Sequence, residues 1–589
     1  HEALARAAGV TQKLTLSGLP AIRSQFTEMV NQDLGLLFPI AFAVIVLLLY
    51  LTFRSVSDVV ASVVTIAFSI VWTQGVMGIF GVPIHVLTEI TPMIVMIISI
   101  SDTAHIVTHF RQALAGGASV REAAVVATAD SALPCLLTEL TIAGGFIGLA
   151  VNDMTLIQQF GLVTAAGVMF TWLANMTVLP LMLTVLPRRA RGTTTGAAAR
   201  PSAVARLFAG FVDVIDAVVT ERPRQVMVTV LVIAAGAALA SARVGKEYFS
   251  YDDLRPQSPL ARDLRYVESV HGGTVPLAIY IEPKGGAKAE AMLEPEALAL
   301  LDRITHKLER DFPEVKNAAS LSKYMRKTHR LFAGADAGAL PATRALAAQE
   351  LLTIEDPSMM RDILSFNHGT AAIYVMMPDE GSSKATHVIE RLRSYFAEEE
   401  ARVPYRITIT GIYGIADGIY RSLVGGLAGS LAIAVLVSFV IFCLVLRSWR
   451  LAAIALVPNV LPLLLTLAVM SLLHIDIKPS TVIVFSITLV IADDDTIQYL
   501  SRFRTRYHEL VAAGDAEPHA AAAIGTLREI GLPMMITAGA VSVGFLSLCF
   551  SQFLALANLG LLIGVSLVAA VFADLFISPV LIMKLKPRI

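Results

Sequence analysis

Long apolar stretches separated by short polar turns dominate this chain. Eleven of them reach the roughly 20 residues that a bilayer crossing requires, near residues 34–53, 58–80, 88–109, 132–151, 157–186, 224–242, 425–446, 450–473, 480–500, 531–550 and 555–583. Lysine and arginine gather at alternate turns: Arg54, Arg111, Arg121, Arg188–Arg191, Arg447, Arg450, Arg502, Arg504, Arg506, Lys584, Lys586 and Arg588. The opposite turns, such as Gly81–Leu87 and Val151–Thr155, carry neither residue. By the positive-inside rule the basic turns are cytoplasmic, which places residues 243–421 outside.

The pattern changes within that outer segment. Pro276–Glu282, Ala371–Met377 and Tyr405–Thr410 read as strands, while Glu294–Phe312 and Thr386–Ala401 read as amphipathic helices. Such alternation predicts a small α/β domain. Between the two membrane blocks, Thr193–Ala197 reads as a flexible linker, and Ala205–Val219 as an amphipathic helix along the inner membrane surface.

The chain also repeats itself. An offset of 393 residues superimposes Gly18 on Gly411, Arg54 on Arg447, Ser55 on Ser448, Asp102 on Asp495, Thr103 on Thr496 and Phe110-Arg111 on Phe503-Arg504. Past the next basic loop the offset becomes 399, matching Pro134 to Pro533, Gly145-Phe146 to Gly544-Phe545, Gly161 to Gly560 and Pro180 to Pro579. Lys13–Gly18 copies the strand Arg406–Gly411, so residues 1–33 read as the end of a first outer domain. The repeat predicts about 170 further residues upstream, including one membrane helix. The expected organisation is membrane helices 2–6 over 34–187, a linker with its amphipathic helix over 188–223, helix 7 over 224–242, the second outer domain over 243–421 and helices 8–12 over 422–589. The fold expected is thus a polytopic α-helical membrane protein of two parallel repeats, with 11 of 12 helices present, plus an α/β outer domain. Gly425/Gly429 and Gly560/Gly564 read as close helix-packing positions.

Composition narrows the function. Apolar residues make up 55% of the 589 and charged residues 16%, against about 25% charged in soluble proteins. A net charge of −1 supplies no surplus to neutralise phosphates and excludes a nucleic-acid partner. The three cysteines are scattered through apolar runs, with no metal spacing. No nucleophile–base pair or phosphate loop marks an enzyme, so none is expected, nor any cofactor beyond protons as coupling ion.

Acids inside the apolar runs carry the chemistry. Asp102 lies in Ser101-Asp102-Thr103-Ala104-His105 and its repeat mate Asp495 in Asp493-Asp494-Asp495-Thr496-Ile497-Gln498. A carboxylate at a helix centre in hydrocarbon costs roughly 2.5–3.5 kcal/mol, which makes function the default explanation. The spans hold no lysine or arginine except at their ends. A carboxyl in low dielectric without a cation favours its neutral, protonated form. Asp102, Asp494, Asp495, Asp493, His105 and Glu139 are therefore candidate proton-relay residues, with Ser101, Thr103, Thr496, Gln498, Thr138 and Thr537 as supporting polar groups. Successive helical residues turn by about 100°, so Asp493–Asp495 cannot share one face; Asp493 is expected in a polar crevice or against a neighbouring helix. Asn175 and its mate Asp574 read as groups holding helices together.

Val490-Ile491-Ala492-Asp493-Asp494-Asp495-Thr496-Ile497-Gln498 resembles the second-half signature of the resistance–nodulation–division superfamily, with Asp494 and Asp495 at its paired acids. Asp493 stands where that pattern has valine and Gln498 where it has histidine; the first half keeps Ile100–His105 with Ser101 replacing one acid. Asp253–Leu260 followed by His271-Gly272-Gly273 resembles the opening of the superfamily's porter domain. The short outer segment and the lack of a membrane lysine resemble the lipid-exporting branch, with sterol-sensing-like membrane domains, that includes the mycobacterial large membrane protein exporters and the hopanoid transporters. The resemblance implies a proton-driven exporter in a bacterial inner membrane, with large periplasmic domains and a lipid-like or other hydrophobic cargo. A periplasmic carrier protein and a second copy of the chain are further expected partners. Multidrug efflux, a protein-export motor and a non-pumping sterol or lipid sensor are the rival readings.

Overall fold

The computed structural model describes residues 19–187, 203–247 and 253–587, apart from 86, 153, 246, 287, 335–339, 354–359 and 361. Lys13–Gly18, Arg188–Arg191 and Thr193–Ala197 lie outside the described residues. In chain order the elements are α1 (Leu19–Phe53), α2 (Val56–Phe80), α3 (Thr91–Ala115), α4 (Val120–Gly148), α5 (Thr155–Val185), α6 (Ala203–Glu221), α7 (Pro223–Ser241), α8 (Pro259–His271), β1 (Val275–Pro283), α9 (Pro295–Asp311), β2 (Ala318–Ala319), α10 (Leu321–Ala333), α11 (Arg344–Leu351), β3 (Ala371–Met377), α12 (Ser382–Arg402), β4 (Tyr405–Thr410), α13 (Ile412–Leu446), α14 (Trp449–Leu473), α15 (Pro479–Ala512), α16 (Pro518–Leu546) and α17 (Leu554–Leu585). They form two compact units. Of the described residues, 29–246 with 422–587 make one, and 247–421 with 19–28 the other.

Ten helices among the described residues are long and apolar enough to cross a membrane. They match ten of the eleven expected spans. The eleventh, 480–500, is α15, whose Asp493–Asp495 make it more polar than the rest although Val482–Val490 are buried. This is a multi-pass membrane protein.

The repeat is visible in local geometry. Arg54 and Arg447 break α1 from α2 and α13 from α14 at the same left-handed backbone, φ 48° and 49°. The next residues, Ser55 and Ser448, cap α2 and α14 by accepting the amides of Asp58 and Leu451. Glycine recurs where helices touch. A methyl group on Gly161 would strike the carbonyl oxygen of Phe146, and one on its mate Gly560 that of Phe545. Likewise Gly145 lies under Val490, and its mate Gly544 under Ile97. Val490 and Ile97 are themselves 393 residues apart, so α4 crosses onto α15 as α16 crosses onto α3. Gly564 also approaches Leu546 closely, whereas Gly429 has open space around it and is no packing contact.

The amphipathic stretch forms α6. Its buried face, Val212, Ile215 and Val219, packs with Leu527, Leu575 and Val580 of α16 and α17, and Asp216 accepts Arg528 at 2.6 Å. It seats on the bundle, with Phe211 and Val214 exposed.

The other unit holds an antiparallel sheet in the order β2-β3-β1-β4. Val275 pairs with Met377 and Ala278 with Thr410 across β1. Alternation along β1 buries Leu277, Ile279 and Ile281 against Leu298, Leu301, Ile304 and Leu308, the i, i+3, i+4 stripe of α9, and Ile389 and Leu392 of α12. On the open face Tyr280 and Tyr374 touch hydroxyl to hydroxyl at 3.2 Å. β3 and β4 coincide with the expected strands; α8, α10, α11 and β2 are additional.

Overpacking a helix crossing costs about 1–3 kcal/mol. Gly161→Leu and Gly560→Leu are therefore expected to lower the thermal unfolding midpoint in detergent, or to abolish monodisperse protein. Gly429→Leu is expected to leave the midpoint unchanged.

Candidate functional site

Helices α3 and α15 meet at the middle of the membrane unit, and the polar candidates collect there. Ser101 Oγ donates to Asp494 Oδ2 at 3.3 Å, a contact between residues 393 apart in sequence. Four residues on, His105 lies against Gln498, again its repeat mate, and against Asp494. Residues related by a two-fold can touch only close to the axis. The seam of α3 and α15 therefore runs along the pseudo-symmetry axis, with Ser101/Asp494 and His105/Gln498 on it. Gln498 Nε2 donates to Asp494 Oδ1 at 3.0 Å, so both oxygens of this carboxylate are engaged.

Asp102 and Asp495 sit about 100° further round their helices. Each turns from the axis into its own half. Asp102, 6% exposed, lies against Glu139 and Cys135 of α4 and Asn175 of α5. Glu139 is 1% exposed. Neither of its oxygens has a donor, and neither does Asp102 Oδ2; His105 Nε2 and Asn175 Nδ2 are also buried without a partner. Two carboxyls in this relation repel when both are ionised and bond when one proton sits between them. Thr103 Oγ1 donates to Asn175 Oδ1 at 3.0 Å and ties α3 to α5.

The second half is built differently. Thr496, mate of Thr103, reaches both oxygens of Asp574, mate of Asn175, at 2.9 and 3.0 Å. Thr496 Oγ1 also lies 3.1 Å from Asn459 Oδ1, Asn459 Nδ2 donates to Asp493 Oδ1 at 2.6 Å, and Ser438 Oγ donates to Asp493 Oδ2. One continuous hydrogen-bonded chain thus joins Asp574 to Asp493 across α17, α15, α14 and α13. A single hydroxyl proton on Thr496 cannot serve Asp574 and Asn459 at once. A proton on Asp574 would let Thr496 accept from it and donate onward. In the first half the mates of Asp493, Asn459 and Ser438 are Ile100, Ile66 and Ile45, all buried and apolar. Conversely, the mate of Glu139 is Ala538. Asp495 is half-buried and faces Asp494 and Asp574 without a hydrogen bond.

No lysine or arginine perturbs any of these acids. Arg111 and Arg504 lie nine residues beyond Asp102 and Asp495, about 14 Å along each helix. Arg111 is already held by Asp58 at 2.6 Å and by the Phe53 carbonyl, and Arg504 points to the Val445 carbonyl at 3.4 Å. Thr138 and Thr537 donate to carbonyls of their own helices, Cys135 and Pro533, and not to Glu139. Among the described residues no cluster of His, Cys, Asp and Glu could hold a metal ion.

The sequence reading left Asn459 and Ser438 out of the site and gave Asp574 only a packing role. Two of the three had a signal. Asp574 is another acid without a cation in an apolar run, and Asn459 is a lone amide between Pro458 and Val460. Ser438 had none.

Thr496→Val removes the hydroxyl that links Asp574 to Asn459 and leaves Asp574 only the 3.4 Å contact with Ser578, a loss of about 1–3 kcal/mol. It is expected to lower the thermal midpoint in detergent more than Thr103→Val, which unpairs only a neutral amide. Equal losses would contradict the asymmetry drawn above.

The MMPL family matches residues 1–226 and 273–586. Over 189 residues the chain is 29% identical to the hopanoid transporter HpnN of Burkholderia multivorans, covering 32% of this chain and 21% of that protein. Over 172 residues it is 20% identical to the putative membrane protein MJ1562 of Methanocaldococcus jannaschii, covering 29% and 44%. These matches span less than half the length of either relative. The cryo-EM structure of the hedgehog release protein Disp from the water bear Hypsibius dujardini superimposes with a TM-score of 0.62 at 12% identity, covering 94% of this chain and 70% of that one; at that identity the likeness shows a shared fold. The chain belongs to the MMPL family.

Proposed function

We propose that this member of the MMPL family is a secondary transporter that uses proton entry to export a lipid-like or other hydrophobic molecule from a bacterial inner membrane. The single observation that supports this reading is the set of acids around the seam of two parallel repeats, Asp494 on it and Asp102, Glu139, Asp493, Asp495 and Asp574 to either side, with no lysine or arginine partner. Such repeats commonly build transporters with the coupling site between the halves. A structural ion pair would need a cation, and no lysine or arginine pairs with these acids: Arg111 is held by Asp58 and Arg504 lies about 14 Å along the helix from Asp495.

The working cycle needs no covalent step. A proton arriving from the outer side sits between Asp102 and Glu139 and satisfies oxygens that otherwise have no donor. On the other side of the axis a proton on Asp574 completes the chain through Thr496 and Asn459 to Asp493. Asp494, hydrogen-bonded to Ser101 and Gln498, joins the two halves on the axis, and Asp495 is the half-buried acid through which water reaches the cluster. His105 stands between the halves as a carrier. Loss of each proton to the inner side leaves like charges facing one another, Asp102 against Glu139 within the first half and against Asp494 across the axis, and their repulsion loosens both contacts. The lipid-like cargo rests on family membership and on the match to a hopanoid transporter. With the basic turns inside, residues 247–421 are periplasmic and hand the cargo outward, with a periplasmic carrier or a second copy of the chain as partner.

Transport of a fluorescent lipid analogue in proteoliposomes with an imposed pH gradient tests this. Asp102→Asn and Asp495→Asn are expected to elute and melt as wild type yet transport no faster than empty vesicles. Glu139→Gln is expected to transport slowly and to keep its response to the gradient. Full transport by either aspartate variant, or wild-type transport indifferent to the gradient, would sink the proton reading.

A further inference from the structure

Between α4 and α5 an open groove of about 560 Å³ runs along the outside of the first half, lined by Arg121, Val125, Ala129, Ala132, Trp172 and Leu181 among others. Its equivalent in the second half is filled. There Val212, Ile215 and Val219 of α6 cover α16 and α17, and Leu527, Leu575 and Val580 are fully buried. Their first-half mates are Thr128, Met176 and Leu181; the first two are half-buried and Leu181 is 55% exposed. One face of the repeat thus has a helix over it and the other has none among the described residues.

Side chains at equivalent positions say what fits. Arg528, which holds α6 through Asp216 at 2.6 Å, is replaced in the first half by Ala129, so the ion pair that seats a helix is missing. At the basic end Arg121 stands where the second half has Ala520. No hydrogen bond or ion pair engages Arg121 among the described residues, and the neighbouring acid Glu122 is occupied in a reciprocal cap with Ser119. The lining below Arg121 is largely apolar, with alanines on α4 facing Met176 and Leu181 on α5, and Trp172 is fixed by its Nε1 donating to the Ala132 carbonyl at 3.1 Å. Arg121 to Ala132 is eleven residues, about 16 Å of helix, which matches the ~15 Å depth of one leaflet's hydrocarbon. A cation at headgroup level above an apolar slot one acyl chain deep is complementary to an anionic lipid.

We propose that the α4/α5 groove binds an anionic lipid of the leaflet at the basic end, its headgroup on Arg121 and one acyl chain along Ala129, Ala132 and Trp172. The site does not depend on the transport reading. The groove's inner end at Ala132 is one turn from Cys135, which lies against Asp102, so occupancy presses on the helix that carries Glu139.

Trp172 reports on the groove directly. In the full chain carrying Trp72→Phe and Trp449→Phe, reconstituted into phosphatidylcholine vesicles, dibrominated phosphatidylglycerol and dibrominated phosphatidylcholine are compared as quenchers at equal mole fraction. The expected result is about five-fold stronger association of the anionic lipid, the effect of one basic residue worth ~1 kcal/mol near anionic lipid. Arg121→Gln is expected to abolish that preference and Arg121→Lys to keep it. Equal quenching by both lipids would make the groove ordinary annulus and overturn the proposal. Quenching by neither would mean that a protein segment covers it, which overturns it as well. A preference unchanged in Arg121→Gln would do the same.

Discussion

Carboxyl groups enclosed by apolar helices without a compensating cation are the constraint on which this membrane unit turns. The apolar surround offers them no hydrogen bonds, so each acid must find donors among its neighbours or keep a proton. The neighbours are accordingly polar at the matching depth: Ser101 and Gln498 for Asp494, Ser438 and Asn459 for Asp493, Thr496 and Ser578 for Asp574. These bonds draw α3 and α15 to the centre, with α4, α5, α13, α14 and α17 arranged around them. Asp102 Oδ2, both oxygens of Glu139, and Asp495 are the exceptions, with no such donor.

Much of this was legible in the sequence because it depends on local pattern. Helix spans follow from apolar length, strands from alternation, and the repeat from residues recurring at special backbone positions: Arg54 and Arg447 at one left-handed turn, Ser55 and Ser448 as caps, Gly161 and Gly560 at a helix crossing. The acids stood out by their cost in hydrocarbon. What did not show was partnership across helices. Glu139 and Asp102 are 37 residues apart on different elements, and nothing in either helix says which face meets which. Asp574 was underweighted for the same reason: its role follows from Thr496 and Asn459 lying beside it. The seat of α6 depends on Arg528 and Gly531 of a helix some 300 residues later, beyond any reading of its own amphipathic face.

The outer unit obeys other physics and reads accordingly. Its core is a water-excluding sandwich of β1 and β3 against α9 and α12, in which Leu277, Ile279, Ile373 and Leu301 are fully buried. Polar groups are satisfied at its surface by solvent and exposed ion pairs, which contribute little each. Alternation and helical periodicity carry nearly all the information there, and this is why β3 and β4 fall on the expected residues. The short helices α8, α10 and α11 escaped because their apolar stripes are brief, as in α10, where Leu321 and Met325 are fully buried but four positions apart.

A duplicated frame has to break its own symmetry where it meets itself. At the axis each residue faces its mate, so an acid there would face an acid, and two carboxylates in contact cannot both be charged. Ser101 opposite Asp494 resolves this by offering a donor to the carboxylate, and His105 opposite Gln498 does so one turn along. Once the axis positions differ, the halves are free to diverge further. One gains Glu139 beside Asp102, and the other gains the chain from Asp574 to Asp493. The same frame thus presents one acid pair in which Asp102 Oδ2 and both Glu139 oxygens have no donor, and another pair joined by a chain of hydrogen bonds. Two acid clusters that differ in their donors respond unequally to the same change in hydration.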